Sequence, residues 1–238
     1  MKNIFLLVIS ACLLLTSCID GDDPKPFFYG FATVEKNPLL GSITFKSDLN
    51  AEGSSYIYKA LTDVDPNNKL NDGDRVYMSC TIETDYGNGT YDVTVNSCSL
   101  NLGRNISIAP TAPEGVQDVF MVMNQGYVSK DARQRKYLNL AVSYASKTDN
   151  GESFVLGYFE ADNTDPVKIV LRLKHYQKEK VSGSANINDV VAFNLQNLPI
   201  SASQEVEGAL KSDVEIKLII KYTGIDNSEY SLEVPYKF

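Results

Sequence analysis

The chain has 238 residues, with 22 Lys and Arg against 30 Asp and Glu, one His, no Trp and four Cys. A formal net charge of −8 argues against a nucleic-acid binder, which needs basic patches to displace counterions from phosphates. One His and four Cys rule out a zinc finger or ribbon, and 43% apolar residues make the bulk of the chain globular rather than disordered.

Residues 1–17 read as an export leader. Met1 and Lys2 give a cationic start, and Ile4 to Leu15 is almost wholly apolar but too short to cross a bilayer, which takes about 20 helical residues. Leu15-Thr16-Ser17-Cys18 resembles the lipobox of bacterial lipoproteins, so Cys18 is expected to become the acylated N-terminus, while Cys12 leaves with the leader. Each buried acyl methylene contributes about 0.8 kcal/mol, so two or three chains hold a soluble body on a membrane. Residues 18–26 form an acidic, Pro-broken tether in which Asp20, Asp22 and Asp23 resemble the surface-export signal of Bacteroidetes lipoproteins. The expected location is the cell envelope, as an outer-membrane lipoprotein displayed at the surface.

Past the tether, the apolar pattern has period two. In residues 27–104, strands are predicted near 27–35, 41–47, 55–60, 74–84 and 90–102, the fourth launched by the turn Asn71-Asp72-Gly73. Val76, Met78, Cys80 and Ile82 share one face of that strand, with Arg75, Tyr77, Ser79, Thr81 and Glu83 on the other. Five short strands suit a small OB-like barrel. Residues 105–115, rich in Pro and Gly with their flank, read as a linker.

Residues 116–238 offer seven strands, near 116–123, 136–146, 152–160, 166–176, 188–196, 213–222 and 229–238, with a short helix in 201–212. Val167, Ile169, Leu171 and Leu173 form one stripe and Val214, Ile216, Leu218, Ile220 and Tyr222 another, as in an immunoglobulin-like β-sandwich. The fold class is therefore all-β, a five-stranded OB-like barrel followed by a β-sandwich. The many Tyr fall mostly at inward parity and read as core.

Two cysteines remain after lipidation, Cys80 and Cys98. An exported chain meets oxidising conditions, where such a pair tends to crosslink. With a two-residue turn at Asn88-Gly89, Cys80 faces Ser97. The inward parity switches between Val95 and Leu100, as at a β-bulge, and a bulge at Asn96-Ser97 would set Cys98 opposite Cys80. A Cys80–Cys98 disulfide is the expectation, and two buried free thiols are the alternative.

Signals for chemistry are sparse. Neither a Gly-rich phosphate loop, a nucleophile elbow nor a paired-His metal motif occurs, so no catalytic residue, metal or cofactor is assigned. His175 lies at inward parity near a strand end and reads as a structural His. Asp63, Asp65 and Asn67 have the oxygen spacing of a calcium loop, but Asn68 and Asp74 stand where Gly and Glu are required, so a polar turn is the simpler reading. Lys168, Arg172 and Lys174, with Lys178 and Lys180 beyond them, form an outward basic row expected to pair with Glu152 or Glu160. The sequons at Asn88 and Asn105 read as chance.

Phe31-Ala32-Thr33-Val34, Asn71-Asp72-Gly73-Asp74-Arg75-Val76, Val93-Thr94-Val95-Asn96-Ser97, Tyr137-Leu138-Asn139-Leu140 and Leu171-Arg172-Leu173-Lys174-His175, in that order behind a lipobox, resemble NigD-like proteins. The resemblance implies Bacteroidetes lipoproteins with an OB-like domain and a β-sandwich, linked by name to a bacteriocin operon, and it transfers no catalytic residue. The expected function is that of a non-catalytic, membrane-anchored module that binds a protein or glycan ligand. A glycan-binding accessory lipoprotein and a bacteriocin-associated immunity or export factor are the alternatives.

Overall fold

The computed structural model describes residues 25–237 except 38, 40, 66, 68, 101–103, 113–116, 120, 148–152, 180, 182–185 and 201–214. The leader, Cys18, most of the tether, Glu152, Lys180 and the helix expected in 201–212 thus lie outside the described residues. Among those described, strands dominate, one 3-10 turn (Glu160–Asp162) interrupts them, and there is no α-helix.

Five strands build the first unit: β1 (Phe27–Lys36), β2 (Ile43–Ser47), β3 (Ile57–Ala60), β4 (Arg75–Asp85) and β5 (Thr90–Leu100). They close in the order β1-β2-β3-β5-β4, antiparallel throughout except for the parallel pair β3 and β5. This is the expected OB-like barrel, and closure leaves it without an unpaired edge. Ala32, Val34, Phe45, Tyr58, Val76, Met78, Cys80 and Val93 point inward, and Leu70 joins them from the loop before β4. The alternation read in β4 holds from Val76 to Thr81, since pleated backbone sends every second side chain to the same face.

The second unit contains β6 (Arg104–Asn105), β7 (Ser107–Ile108), β8 (Gln117–Val119), β9 (Val122–Lys130), β10 (Lys136–Tyr144), β11 (Ser153–Tyr158), β12 (Lys168–Gln177), β13 (Ile187–Asn194), β14 (Glu215–Thr223) and β15 (Glu229–Lys237). One sheet runs β6-β13-β10-β9 and the other β15-β14-β12-β11-β7, with β8 beside β12. Leu138, Leu140 and Val142 of β10 meet Ile169, Leu171 and Leu173 of β12 and Ile216, Leu218 and Ile220 of β14 in a single core. Val167, expected to begin the β12 stripe, precedes the strand and is exposed.

The second unit departs from the sequence expectation in two places. Residues 104–108, expected within or beside a linker, pair with both sheets: β6 runs parallel to β13 and β7 parallel to β11. β9 extends well past the strand expected at 116–123, through Gly126, which reads locally as a break. The glycine is there for space. A Cβ at 126 would stand 2.7 Å from Leu232 and 2.9 Å from Val234 of β15, which crosses close to β9.

The β4–β5 hairpin corrects the disulfide expectation. Cys80 and Cys98 are both free thiols. The loop holds three residues, Gly87 to Gly89, with Tyr86 N–H donating to Thr90 O at 3.1 Å. Glu83 is an extra residue on β4, and Asn96 is an extra residue on β5, where the bulge was expected. The longer loop and the bulge at Glu83 together displace the register by two. Cys80 therefore faces Val95, and Cys98 faces Met78. Burial pushes both thiols up to about 11, so they are protonated and unreactive at neutral pH.

Candidate functional site

Arg75 begins β4 on its outward face, yet the sandwich covers it and only 1% of its side chain is exposed. Its guanidinium lies between the rings of Phe31 and Tyr137, 4.2 and 4.1 Å from their centroids. Its two terminal nitrogens each donate to one oxygen of Asp48 at 2.7 Å, a bidentate pair. Nη2 also reaches Ser129 Oγ at 3.2 Å and Asn139 Oδ1 at 3.4 Å. Ser129 Oγ donates to Asp48 at 2.5 Å and accepts from Asn139 Nδ2 at 2.8 Å. A buried cation is thus neutralised and bonded by groups from both units, which the desolvation cost of an ion pair demands.

A second set of contacts fixes the same joint. Leu49 N–H donates to Lys130 O at 2.8 Å. The β9–β10 loop leans on the turn before β4, where Arg135 Nη2 donates to Gly73 O at 2.8 Å and Arg133 Nη2 to Asp72 at 2.7 Å. Gly73 has φ +87°, and a Cβ there would meet the Arg133 guanidinium at 2.4 Å, so glycine suits both the turn and the approach. Phe31, Tyr137 and Ala192, with Tyr77 and Val190 against them, form the apolar part of the interface.

A cleft of about 800 Å³ opens beside this joint. Phe28, Tyr56 and Tyr58 line it from the barrel, and Tyr127, Lys130 and Gln134 from the sandwich. The barrel rings form a stack: Phe28 lies 4.5 Å from Tyr58, which lies 5.5 Å from Tyr91. Tyr56 and Tyr127 are each 41% exposed, so each still offers ring surface. Burial, and secondarily the Asp48 charge, raises the Tyr127 phenol above its usual range, keeping it a neutral hydrogen-bonding group. The Asn50 side chain fixes the loop over the floor by accepting from Glu52 N–H at 3.1 Å and Ser54 N–H at 2.9 Å. Rings, amides and one exposed cation suit recognition of an uncharged or weakly anionic ligand by stacking and hydrogen bonds.

The residues singled out from the sequence lie elsewhere. His175 is fully buried in the sandwich, stacked on Phe154 at 4.3 Å and edge-on to Tyr144 at 4.4 Å. Asp65 accepts from the N–H groups of Lys69 and Leu70 at 2.6 and 2.9 Å, and Asp63 from Asp65 N–H at 2.9 Å, which is turn chemistry. Among the described residues, no group of three or more His, Cys, Asp and Glu is placed to hold a metal. Arg172 pairs with Asp162 and Glu229, and Lys168 with Asp165, rather than with Glu160. The Tyr residues as a group were expected mostly in the core, but Tyr56 and Tyr127 line the cleft. Asp48 and Ser129 carried no motif signal; Asn139, a polar residue within the apolar run Tyr137 to Leu140, was the one visible irregularity.

No family model matches the chain, and no curated protein matches it. Solved structures do. A protein of unknown function from Bacteroides vulgatus is similar at 17% identity over 90% of this chain and 92% of its own, with a TM-score of 0.60. A Bacteroides fragilis protein assigned provisionally to the lipoproteins is similar at 13% identity over 90% and 99%, with a TM-score of 0.57. A NigD-like immunity protein from Bacteroides caccae is similar at 13% identity over 91% and 99%, with a TM-score of 0.55. The barrel-plus-sandwich fold is therefore shared with a NigD-like protein over nearly the whole length, as the motif order implied.

Proposed function

We propose that the chain is a non-catalytic, lipid-anchored binding protein of the cell envelope, of NigD-like type, that receives its ligand in the cleft between barrel and sandwich. The cleft itself carries this reading: it lies at a joint locked by the Arg75–Asp48 pair and draws aromatic rings from both units. Sites at domain junctions on rigid scaffolds are where recognition usually concentrates. The lipobox ending at Cys18 and the name of the Bacteroides fragilis neighbour support the envelope location, and the name of the Bacteroides caccae neighbour supports the NigD-like type.

A glycan is the specific ligand class favoured by the exposed faces of Tyr56 and Tyr127, because pyranose C–H faces pack on such rings while amides bind the hydroxyls. The test is a glycan array probed with mature chain and with Tyr127→Ala. Retention on one or more saccharides, lost in the variant, is expected. Equal retention by the variant excludes the cleft as the binding site, and loss of a measured turnover in folded His175→Ala would make the protein an enzyme.

A further inference from the structure

The barrel wears two different outer surfaces. On β2, β3 and the second half of β1 it is laced with charge, as in the Lys46–Glu35 pair and Lys59 over the Tyr86 ring. The other side, formed by the start of β1 with β4 and β5, is different. There Phe27 sits opposite Thr81 and Tyr29 opposite Ser79, and Ser79 in turn faces Ser97. The small polar groups satisfy one another, Ser79 with Ser97 at 2.8 Å and Asn96 Nδ2 donating to Thr81 at 3.1 Å. None of these named positions is charged, and the charges that flank them, Lys25 and Glu83, pair with each other. Phe27 and Tyr29 are 75% and 62% exposed, the two most exposed aromatic rings among the described residues. Toward the sandwich the same face continues into the buried interface through Phe31 and Tyr77; away from it, the rings stand open to solvent.

From this juxtaposition we infer that the outward face around Phe27 and Tyr29 is the surface with which the barrel rests on the lipid bilayer. Three observations choose this occupant. The tether enters the barrel on this face, and its nine residues from Cys18 to Pro26 reach at most about 30 Å, which keeps the face beside the anchor. The mature chain carries 30 acidic against 21 basic side chains, so an anionic membrane repels most of its surface and this neutral face least. Aromatic rings with hydroxyls around them are the side chains that settle at the headgroup level, and the Lys25–Glu83 pair at the rim leaves no net charge against the phosphates. The inference rests on the anchor proposed at Cys18, whereas its test supplies that anchor chemically.

The absence of Trp allows single reporters. Mature chain carrying Phe27→Trp is coupled through Cys18 to a maleimide lipid in phosphatidylethanolamine–phosphatidylglycerol vesicles with brominated acyl chains; Lys59→Trp serves as the control on the charged side. The Phe27→Trp protein is expected to lose most of its indole emission with a blue shift, and the Lys59→Trp protein to keep its emission unchanged. Adding Tyr29→Glu to Phe27→Trp should restore the emission. Unquenched indole in the Phe27→Trp protein, or equal quenching in both variants, overturns the inference. So does an emission shift of the Phe27→Trp protein caused by soluble xylan where brominated lipid has no effect, which would give the face to a polysaccharide. Mass spectrometry of the native N-terminus tests the anchor separately.

Discussion

Replacing Asp48 with Asn tests the joint directly. The substitution keeps the shape of the side chain and removes its charge, leaving the Arg75 guanidinium, 1% exposed, without a counterion. An amide can accept only one of the two 2.7 Å bonds, and its NH2 group meets the other Arg75 donor head-on. Removing one partner of a buried pair costs about 3–5 kcal/mol. The rings of Phe31 and Tyr137 still face the cation and soften the loss, so the lower end, about 3 kcal/mol, is expected. For a protein of this size that corresponds to a Tm lower by roughly 6–12 °C. Arg75→Met should be milder, because Asp48 is 17% exposed, keeps its bond from Ser129, and the Met stem still fills the space between the rings. The double variant should recover much of the Asp48→Asn loss, since a neutral pair carries no unpaired charge. Urea titration followed by Tyr fluorescence gives all three values. A loss under about 1 kcal/mol for Asp48→Asn, the range of an exposed pair, would refute the assignment of Arg75 as a buried, counterion-dependent lock.

Denatured, unreduced mature chain with acylated Cys18 should yield two labelled thiols, Cys80 and Cys98, whereas the folded protein should label slowly at pH 7 because burial holds both thiols near 11; zero labelled thiols on denaturation would restore the bridge. Hydrogen bonds from Arg172 hold the Asp162 carboxyl below its usual range, so its stabilisation is complete above the unfolded value near 4 and is lost as pH falls through the folded value. Asp162→Asn should therefore cost about 1 kcal/mol at pH 7, with the gap to the parent closing in acid, as read by Tm against pH. Gly126→Ala should cost about 1–3 kcal/mol, since its methyl would press on Leu232, Val234 and Leu140 at 2.7–3.0 Å, and a neutral result in urea would show that β15 can yield.

Period-two patterning made the barrel strands and most of the sandwich legible, because burial on one face of a pleated strand leaves a mark at every second residue. What the pattern omits is the cover on the other face. Arg75 alternates with Val76 as an outward residue should, and it does leave the barrel, but another sheet rather than water meets it. Register was equally out of reach: a loop of three residues instead of two, and one bulge at Glu83, each slip the pairing by one, and together they carry Cys98 from Cys80 to Met78. The short motifs that carry the family resemblance are more informative in space than in sequence. Phe31, Asp72, Gly73, Arg75, Tyr137 and Asn139 come from three of them and all meet at the joint.

Residues 104–108 carry a consequence for how the molecule can be divided. Two residues hydrogen-bond to one sheet and two to the other, so this stretch works as a clasp across the mouth of the sandwich, not as a cord between two beads. Scission just after Leu100 would leave the clasp with the sandwich. Scission at Thr111 would take it away and bare the backbone of both β11 and β13 along one side, inviting strands from other copies to fill the gap. A sandwich prepared by itself should therefore start no later than Arg104.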